Sequence, residues 1–283
     1  MAPAPAPART PAPASRRRVA WSRSWDVGSA RAPSRRAGIV IGIAQIAVRP
    51  LATLLSRPVW IGVENLPADG AVIACGNHLS PFDPFGYGHL LQANGIAPRF
   101  MAKDAMFRVP VLGALLRGAR QIPVSRGTSR SSDALSAARE ALGRGELLMV
   151  FPEGTYTRDP QLWPMRARLG PARLALETGA PLLPIASWGA RALWPVGSPI
   201  PHPGPGRRVV MRVGEPYTVS RAEGETTHAA AVRITEDLMA RITALLAEIR
   251  DEDPPPVVHD GRLDAHRPEA GRPQRGYRAV RQS

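Results

Sequence analysis

The fold of this chain is decided by residues 71–83, which read AVIACGNHLSPFD. The first five residues are an apolar run with the length and composition of a buried strand. Ser80 is a favourable residue for capping a helix, and Pro81 suits the first helical position. The stretch therefore predicts a strand, a short loop that carries His78, and a helix that carries Asp83 in its first turn.

His78 and Asp83 form the first candidate site. A carboxylate in the first turn of a helix is stabilised by free amide groups and by the helix dipole, so Asp83 is expected to be ionised. An ionised Asp that accepts a hydrogen bond from one imidazole nitrogen leaves the other nitrogen free to take a proton. The pair is therefore suited to act as a general base on a hydroxyl group. The alternative is a histidine that caps the loop beside an unrelated surface Asp.

Strand-like and helix-like patterns alternate on both sides of this stretch. Further apolar runs typical of strands lie at residues 59–63, 98–102, 120–124, 147–151, 181–188 and 208–213. Helical patterns separate several of them, and a last helix carries apolar residues at helical spacing up to Ile249. The alternation predicts an α/β fold with a largely parallel or mixed sheet flanked by helices, over residues 57–250.

Polar residues follow four of the strand-like runs within two positions. They are His78, Lys103, Arg126 and Glu153. In an open α/β sheet the ends of the strands line the ligand crevice, so we expect these four side chains to converge. Lys103 is the only lysine in the chain. It is explained either by a need for a compact ammonium group at that position or by chance.

The composition limits the classes of partner and chemistry. The chain has 283 residues, a net charge of +14 and a pI of about 11.4, which indicates an anionic partner such as nucleic acid, anionic lipid or a phosphorylated substrate. Aromatic residues make up only 5%, which argues against a platform for stacking single-stranded bases. Cys75 is the single cysteine, which excludes a disulfide framework. No residues have the spacing of a metal site, so we expect no metal.

The two ends of the chain are predicted to lie outside the folded domain. Residues 1–36 are rich in Pro, Ala and Arg, lack the apolar core of a signal peptide, and are expected to be a disordered basic arm. Residues 251–283 are expected to be a disordered tail.

Residues 37–56 are strongly apolar, but Arg49 and Pro50 interrupt them, and each piece is too short to span a bilayer. This pattern predicts a helical segment that lies in the membrane interface, where the basic arm would add attraction to anionic lipids. The alternative is a core helix of the folded domain. The first interpretation places the protein on the cytoplasmic face of the cell membrane, as a peripheral or monotopic protein.

Four ordered blocks resemble the 1-acylglycerol-3-phosphate acyltransferase family of glycerophosphate and lysophospholipid acyltransferases. The first block is Asn77-His78, then four residues, then Asp83. The others are residues 118–126, 151–155 and 181–185, and residues 100–113 resemble the lysine-bearing block of the family. The resemblance covers about residues 55 to 215, with the blocks in the family's order.

The resemblance implies a reaction and a role for the first block. His78 would deprotonate the hydroxyl of an acceptor, and Asp83 would orient His78. The hydroxyl would attack the thioester of acyl-CoA or of acyl-carrier protein, with no cofactor. The acceptor implied first is 1-acylglycerol 3-phosphate, a lysophospholipid, which would give phosphatidic acid. Glycerol 3-phosphate and larger lysolipids are the alternatives.

The resemblance also implies binding residues. Lys103 and Arg126 would bind the phosphate of the acceptor. Many relatives have Arg directly after Glu-Gly-Thr, where this chain has Tyr156, so Arg158 is the residue expected to reach the phosphate instead, unless Tyr156 reports a different acceptor headgroup. Acceptor binding is assigned to the remaining residues of the first and third blocks, Asn77, Glu153, Gly154 and Thr155.

Two other functions compete with this interpretation. One is a nucleic-acid-binding protein that acts through its arginine-rich arms, and the other is a lipid-binding relative that lacks activity. The positive charge is concentrated in residues 1–36, beside the apolar segment, and the folded part has no recognisable nucleic-acid motif. The expected partners are therefore anionic membrane lipids, the lysophospholipid acceptor and the acyl donor, with no nucleic acid. The intact pair of His78 and Asp83 argues against an inactive relative.

Overall fold

A computed structural model of the protein describes residues 55–124, 131–202 and 207–261. The strands are β1 Arg57–Ile61, β2 Val72–Gly76, β3 Arg99–Lys103, β4 Ile122–Val124, β5 Leu147–Val150, β6 Leu182–Trp188 and β7 Arg208–Val213. The helices are α1 Asp83–Ala93, α2 Asp104–Phe107, α3 Pro110–Gly118, α4 Ser131–Gly143, α5 Gly170–Thr178, α6 Ala190–Leu193 and α7 Thr227–Arg250. A short 3-10 helix, Val63–Asn65, follows β1.

The seven strands form one mixed sheet in the order β1-β7-β6-β2-β5-β3-β4. All neighbouring pairs are parallel except β6 and β7, which are antiparallel. The predicted α/β fold with a largely parallel or mixed sheet is therefore confirmed. Strand β2 lies at the centre, between β5 and β6, so the loop after β2 lies beside the loops that follow β5 and β6.

Helices cover both faces of the sheet, which explains why its strands read as continuous apolar runs. Ile73 and Cys75 of β2 pack in one cluster with residues of α4, α5 and α7. Val72 and Ala74 face the opposite way and pack in a second cluster with residues of α1 and α6. Because neighbouring side chains of a strand point to opposite faces, burial on both sides requires apolar residues at every position.

Helix α1 begins later than its sequence predicts, at Asp83 rather than at Pro81. The hydroxyl of Ser80 accepts a hydrogen bond from the Phe82 amide at 3.1 Å and donates to the carbonyl of Trp194 at 2.6 Å. Ser80 therefore stabilises a tight turn that precedes the helix. Pro84 occupies the start of the helix, where its missing N–H group costs nothing. Asp83 remains in the first turn, as predicted.

The C-terminal segment departs from the prediction of a disordered tail that begins at residue 251. Its first part packs against the loop that follows β5. The Arg166 amide donates to the carbonyl of His259 at 2.9 Å, and the guanidinium of Arg158 donates to the carbonyl of Gly261 at 2.7 Å. The loop after β5 therefore supplies donors for the carbonyl groups of His259 and Gly261.

The predicted basic arm of residues 1–36 and most of the apolar segment 37–56 lie outside the described residues, as do residues 262–283 of the predicted tail. Leu55, near the end of the apolar segment, is buried in the core cluster that contains α1 and α6. Among residues 55–124, 131–202 and 207–261, no helix has the length and apolar character needed to cross a membrane.

Candidate active site

The loop after β2 brings His78 and Asp83 into contact. The two side chains meet at 3.0 Å, between His78 Nδ1 and Asp83 Oδ2. The same Asp83 oxygen accepts the backbone amides of Leu79 at 2.5 Å and Ser80 at 2.7 Å. Asp83 is completely buried, whereas 13% of the His78 side chain is exposed. The predicted pair therefore exists, with the carboxylate inside and the imidazole at the surface.

The bonds to Asp83 fix the tautomer of His78. Asp83 Oδ2 accepts hydrogen bonds from two backbone amides, so it is also the acceptor in its contact with His78. The proton of that hydrogen bond is therefore carried by His78 Nδ1. Nε2 is then the unprotonated nitrogen of the neutral ring. A carboxylate in this position also stabilises the imidazolium that forms when Nε2 takes a proton. The geometry is that of a general base.

Glu153 connects the first block to the third. Its Oε1 accepts the His78 amide at 3.1 Å, and its Oε2 accepts the Met165 amide at 3.0 Å. The Thr157 amide donates in turn to the carbonyl of His78 at 2.8 Å. These contacts are possible because β2 and β5 are neighbours in the sheet. Glu153 was predicted to bind the acceptor, but it is buried and both of its oxygens hold backbone amides.

Two aromatic rings enclose the imidazole. Phe151 stacks on His78 with ring centroids 4.1 Å apart and an interplanar angle of 11°. Tyr156 lies at 4.3 Å with its ring tilted by 50°. Burial raises the pKa of the Tyr156 phenol, and the nearby charge of Asp83 raises it further. Tyr156 is therefore a neutral phenol at neutral pH, and it lies against the group that would react.

Asn77 supports the site from behind and does not line it. Its amide donates to the carbonyl of Ser187 at 3.0 Å and accepts the Ser187 amide at 2.8 Å. The hydroxyl of Tyr87 donates to Asn77 Oδ1 at 3.1 Å. Asn77, which the resemblance assigns to acceptor binding, is completely buried. Its side chain instead ties the end of β2 to β6.

The predicted phosphate-binding residues are only partly brought together. Lys103 is the last residue of β3, and it is exposed and paired in register with Val124, the last residue of β4. Arg126 follows two residues later and lies outside the described residues. Arg158 turns away to the carbonyl of Gly261, so the structure does not place it at the phosphate site that the resemblance implies.

Gly154 and Thr155 lie in the turn after Glu153, and an arginine that sequence reasoning missed lies beside them. Gly154 has a φ of +69°, and a Cβ at this position would be 2.7 Å from Arg168 Nε. The Arg168 amide donates to the carbonyl of Pro152 at 2.9 Å, which holds the two segments together. Arg168 belongs to none of the four blocks, so no sequence signal pointed to it.

A second missed arginine anchors the loop around the site. The guanidinium of Arg250, at the end of α7, lies 4.0 Å from the ring of Trp163 and 4.4 Å from that of Trp188. It also donates to the carbonyl of Gln161 at 2.8 Å. Cation–π contacts of this kind stabilise most when the cation is shielded from water. Arg250 thereby helps to hold the loop whose Met165 amide binds Glu153.

The other reactive groups in this part of the fold have little capacity for chemistry. Cys75 is completely buried, and this burial raises the pKa of its thiol, so it is not a nucleophilic thiolate. Within the described ranges, no three His, Cys, Asp or Glu side chains are grouped as ligands for a metal ion. The pair of His78 and Asp83 is therefore the candidate proton-transfer group that we consider further.

The ionisation of Glu153 leads to a prediction about stability. Burial raises its pKa to about 8 from an ordinary value of 4.5, against the opposing effect of the two amide hydrogen bonds. Between these values the folded state binds more protons than the unfolded state, so the free energy of unfolding should fall as the pH rises from 4.5 to 8. Glu153→Gln removes this contribution.

We therefore expect the stability of wild type relative to Glu153→Gln to be greater at pH 5 than at pH 8. Urea unfolding of both proteins at several pH values measures the difference. Glu146→Gln is a control, because Glu146 is a partly buried carboxyl that binds Arg99 and Arg144 at the far end of the sheet. A stability difference between wild type and Glu153→Gln that does not change with pH would contradict the prediction.

The part of the chain that carries this site is similar to known proteins. A family model described as Acyltransferase matches residues 58–188, which include the loops after β2 and β5. A chloroplastic 1-acyl-sn-glycerol-3-phosphate acyltransferase of Brassica napus is 32% identical over 139 residues, which are 48% of this chain and 39% of that protein. The 1-acyl-sn-glycerol-3-phosphate acyltransferase of Borreliella burgdorferi is 30% identical over 127 residues, 44% of this chain and 48% of that protein.

The fold is also found in a solved structure. It resembles the crystal structure of the 1-acyl-sn-glycerophosphate acyltransferase PlsC from Thermotoga maritima, with a TM-score of 0.57 and 24% identity over 77% of this chain and 81% of that one. The matched part of this chain spans less than half the length of the two curated relatives above. Residues 58–188 of the chain therefore match the Acyltransferase family model, and the proteins that this part of the chain resembles include 1-acyl-sn-glycerol-3-phosphate acyltransferases.

Proposed function

We propose that the protein transfers a fatty acyl chain from an acyl thioester to the free hydroxyl of 1-acylglycerol 3-phosphate, which gives phosphatidic acid. The observation that carries the proposal is the hydrogen bond of 3.0 Å between His78 Nδ1 and a buried Asp83, within the part of the chain that matches the family. Two similar proteins are named as 1-acyl-sn-glycerol-3-phosphate acyltransferases, which supports 1-acylglycerol 3-phosphate as the acceptor.

The proposed mechanism uses His78 first as a base and then as an acid. Nε2 removes the proton of the acceptor hydroxyl while the oxygen attacks the thioester carbonyl carbon, and Asp83 stabilises the resulting imidazolium. The C–O bond forms, the C–S bond breaks, and the imidazolium returns its proton to the departing thiolate. Glu153 takes part only through the backbone, since it fixes the position of the His78 amide.

The aromatic rings around His78 support this role. Phe151 stacks on the imidazole and Tyr156 lies against it at a tilt, so both rings displace water from around His78. A site shielded from water strengthens the interaction between the imidazolium and the Asp83 carboxylate. It also disfavours hydrolysis of the thioester, the competing reaction of an acyltransferase.

The phosphate of the acceptor is proposed to bind Lys103 and Arg126. A phosphate can accept hydrogen bonds from the planar fork of an arginine and from the point charge of a lysine at once. Arg126→Ala is therefore expected to raise the KM for 1-acylglycerol 3-phosphate by roughly tenfold or more, with a smaller change in kcat. Initial rates over a range of acceptor concentrations measure the two constants.

The control for this prediction is Arg130→Ala, which removes an arginine four residues along the same connection between β4 and α4. Its KM is expected to remain near that of wild type. An unchanged KM in Arg126→Ala would remove Arg126 from the phosphate site. Equal increases in both variants would show that the total positive charge of the connection matters, and this too would contradict a specific phosphate contact.

The acceptor and the donor can be identified together. Tyr156 lies against His78 at a position where many relatives carry an arginine, which favours testing glycerol 3-phosphate and larger lysolipids beside 1-acylglycerol 3-phosphate. The panel is assayed with acyl-CoA and separately with acyl-carrier protein, and the products are identified by mass spectrometry. The proposal predicts phosphatidic acid as the main product. A preference for another acceptor would revise the substrate and retain the chemistry.

The protein is also proposed to work at the cytoplasmic face of the cell membrane. Its product and the proposed acceptor are lipids, and the apolar segment 37–56 beside a basic arm is typical of a peripheral or monotopic protein. Fractionation of cells that express the full chain tests this location. Recovery in the membrane fraction, released by detergent, is the expected result.

A further inference from the structure

Helices α2 and α3 present apolar side chains to solvent. The exposed residues are Met106, Val109, Val111 and Leu115, and Val111 alone has 75% of its surface accessible. The buried residue of α3 is Gly113. A surface helix of a globular protein normally turns its apolar stripe towards the core. This segment buries Phe107, Leu112 and Leu116 only in part and leaves four further apolar residues exposed. We call these four exposed residues the α2–α3 face.

The α2–α3 face has a fixed shape. Gly113 approaches the carbonyl of Phe107 so closely that a Cβ would lie 2.1 Å from its oxygen. The guanidinium of Arg117 donates to the same carbonyl at 2.7 Å, which satisfies the C-terminal end of α2. The glycine and the arginine therefore hold the two short helices together. The apolar side chains project from a rigid platform and not from a loose loop.

Basic residues lie along the segment that forms the α2–α3 face and border it in the sequence. Lys103 precedes α2, Arg108 lies between the two helices, and Arg117 lies in the last turn of α3. The carboxylate within this segment is Asp104, which forms an ion pair with Arg108 at 2.5 Å. Two positive charges, Lys103 and Arg117, thus remain in excess over this segment. An apolar surface with a basic border is complementary to an anionic phospholipid bilayer, which has an apolar interior and negatively charged headgroups.

The position of the face in the fold relates it to the active site. Helix α2 begins directly after Lys103, the last residue of β3. Strands β2 and β3 are both parallel to β5 and are its two neighbours, so their carboxyl ends lie at the same edge of the sheet. The loop that carries His78 follows β2. The α2–α3 face and the candidate active site therefore lie at one edge of the molecule.

We propose that the α2–α3 face inserts its apolar side chains into the interface of an anionic phospholipid bilayer. Two other partners could cover the face, a second copy of the protein or residues 37–54 of the same chain. The charges favour the bilayer over both. A second copy carries the same net charge of +14 and would be repelled. Residues 37–54 are apolar, but Arg49 is their single charged residue, so the basic border would gain nothing from them. Anionic headgroups satisfy both parts of the surface.

The inference goes beyond the proposed reaction, because lipid contact is measured without turnover. Cys75, the single native cysteine, is buried, so a cysteine introduced on the surface can be labelled selectively with an environment-sensitive fluorophore. The full chain is prepared as Val111→Cys and as a matched control, Val257→Cys, whose valine is 77% exposed on the C-terminal segment. Each labelled protein is mixed with phosphatidylcholine vesicles that contain or lack phosphatidylglycerol.

The label at position 111 is expected to shift to shorter wavelength with vesicles that contain phosphatidylglycerol, and the label at position 257 is not. No shift at 111 while the protein sediments with the vesicles would overturn the proposal. A label at 111 that is already shielded without vesicles would overturn it too, because a protein segment would then cover the face. The same test in a His78→Ala background separates this inference from the proposed reaction.

A second measurement weighs the contribution of the face. Val111→Glu with Leu115→Glu is expected to weaken binding to the anionic vesicles on the order of tenfold, since two carboxylates enter an apolar and anionic environment. The matched control is Val257→Glu, which adds a carboxylate at an equally exposed valine. Equal binding of the double variant and the control, with unchanged labelling at 111, would overturn the proposal.

Discussion

Replacing His78 with alanine is expected to lower kcat for acyl transfer by about 10³-fold, near the middle of the range for loss of a general base. In the variant no group takes the proton of the acceptor hydroxyl, because the proposed proton acceptor, Nε2 of the imidazole, has been removed. The His78 side chain is partly exposed, and the only buried charged group that its removal leaves without a partner is Asp83. Radiolabelled acyl-CoA and 1-acylglycerol 3-phosphate give kcat and KM for both proteins.

The control for His78→Ala is His228→Ala, which removes an exposed histidine at the start of α7. Its kcat is expected to equal that of wild type. Thermal unfolding of both variants shows whether the fold is intact. A correctly folded His78→Ala protein that keeps near-normal turnover would contradict the role of His78 as the base.

Asp83→Asn is expected to have the second largest effect, a fall in kcat of about 10²–10⁴-fold with a small change in KM. The carboxylate fixes the tautomer of His78 and stabilises the imidazolium, and a neutral amide does neither. The Asp83 Oδ1 atom has no hydrogen-bond partner in the described structure and is buried. An amide nitrogen placed there would be an unsatisfied donor, so the variant should also unfold at lower temperature.

The separate values of kcat and KM distinguish a positioning effect of Asp83 from a simple loss of stability. Without the carboxylate the imidazole is no longer oriented, so kcat should fall in Asp83→Asn while KM stays near that of wild type. Asp159→Asn is the control, because Asp159 is a buried carboxylate that accepts the amides of Gln161 and Trp163. It should lose stability with a far smaller loss of kcat. A kcat of Asp83→Asn within a few-fold of wild type would contradict the proposed role.

The positions of the strands along the chain could be predicted because their signal is local. The run of residues 71–75 is apolar at every position since helices cover both faces of the sheet, and that pattern identifies a buried strand. His78 and Asp83 could be predicted as a pair for the same reason, because only five positions separate them in the sequence. Residues close together in the sequence were enough to predict this part of the site.

The supporting contacts could not be predicted, because each joins residues that are distant in sequence. Asn77 was expected to face the acceptor, but its partner Ser187 is 110 positions away on β6, and only the order of the strands brings them together. Glu153 accepts hydrogen bonds from two backbone amides, and backbone partners of this kind cannot be identified from the pattern of side chains in a sequence. Arg250 lies over the rings of Trp163 and Trp188, and the sequence of the last helix alone gives no indication of these contacts.

The most direct test of the central claim is the product formed from 1-acylglycerol 3-phosphate. The purified protein and its His78→Ala variant are incubated with this acceptor and with acyl-CoA or acyl-carrier protein, and the lipids are analysed by mass spectrometry. The proposed function predicts phosphatidic acid from wild type with at least one donor, and almost none from the variant. Phosphatidic acid from neither donor, or equal amounts from wild type and variant, would contradict it.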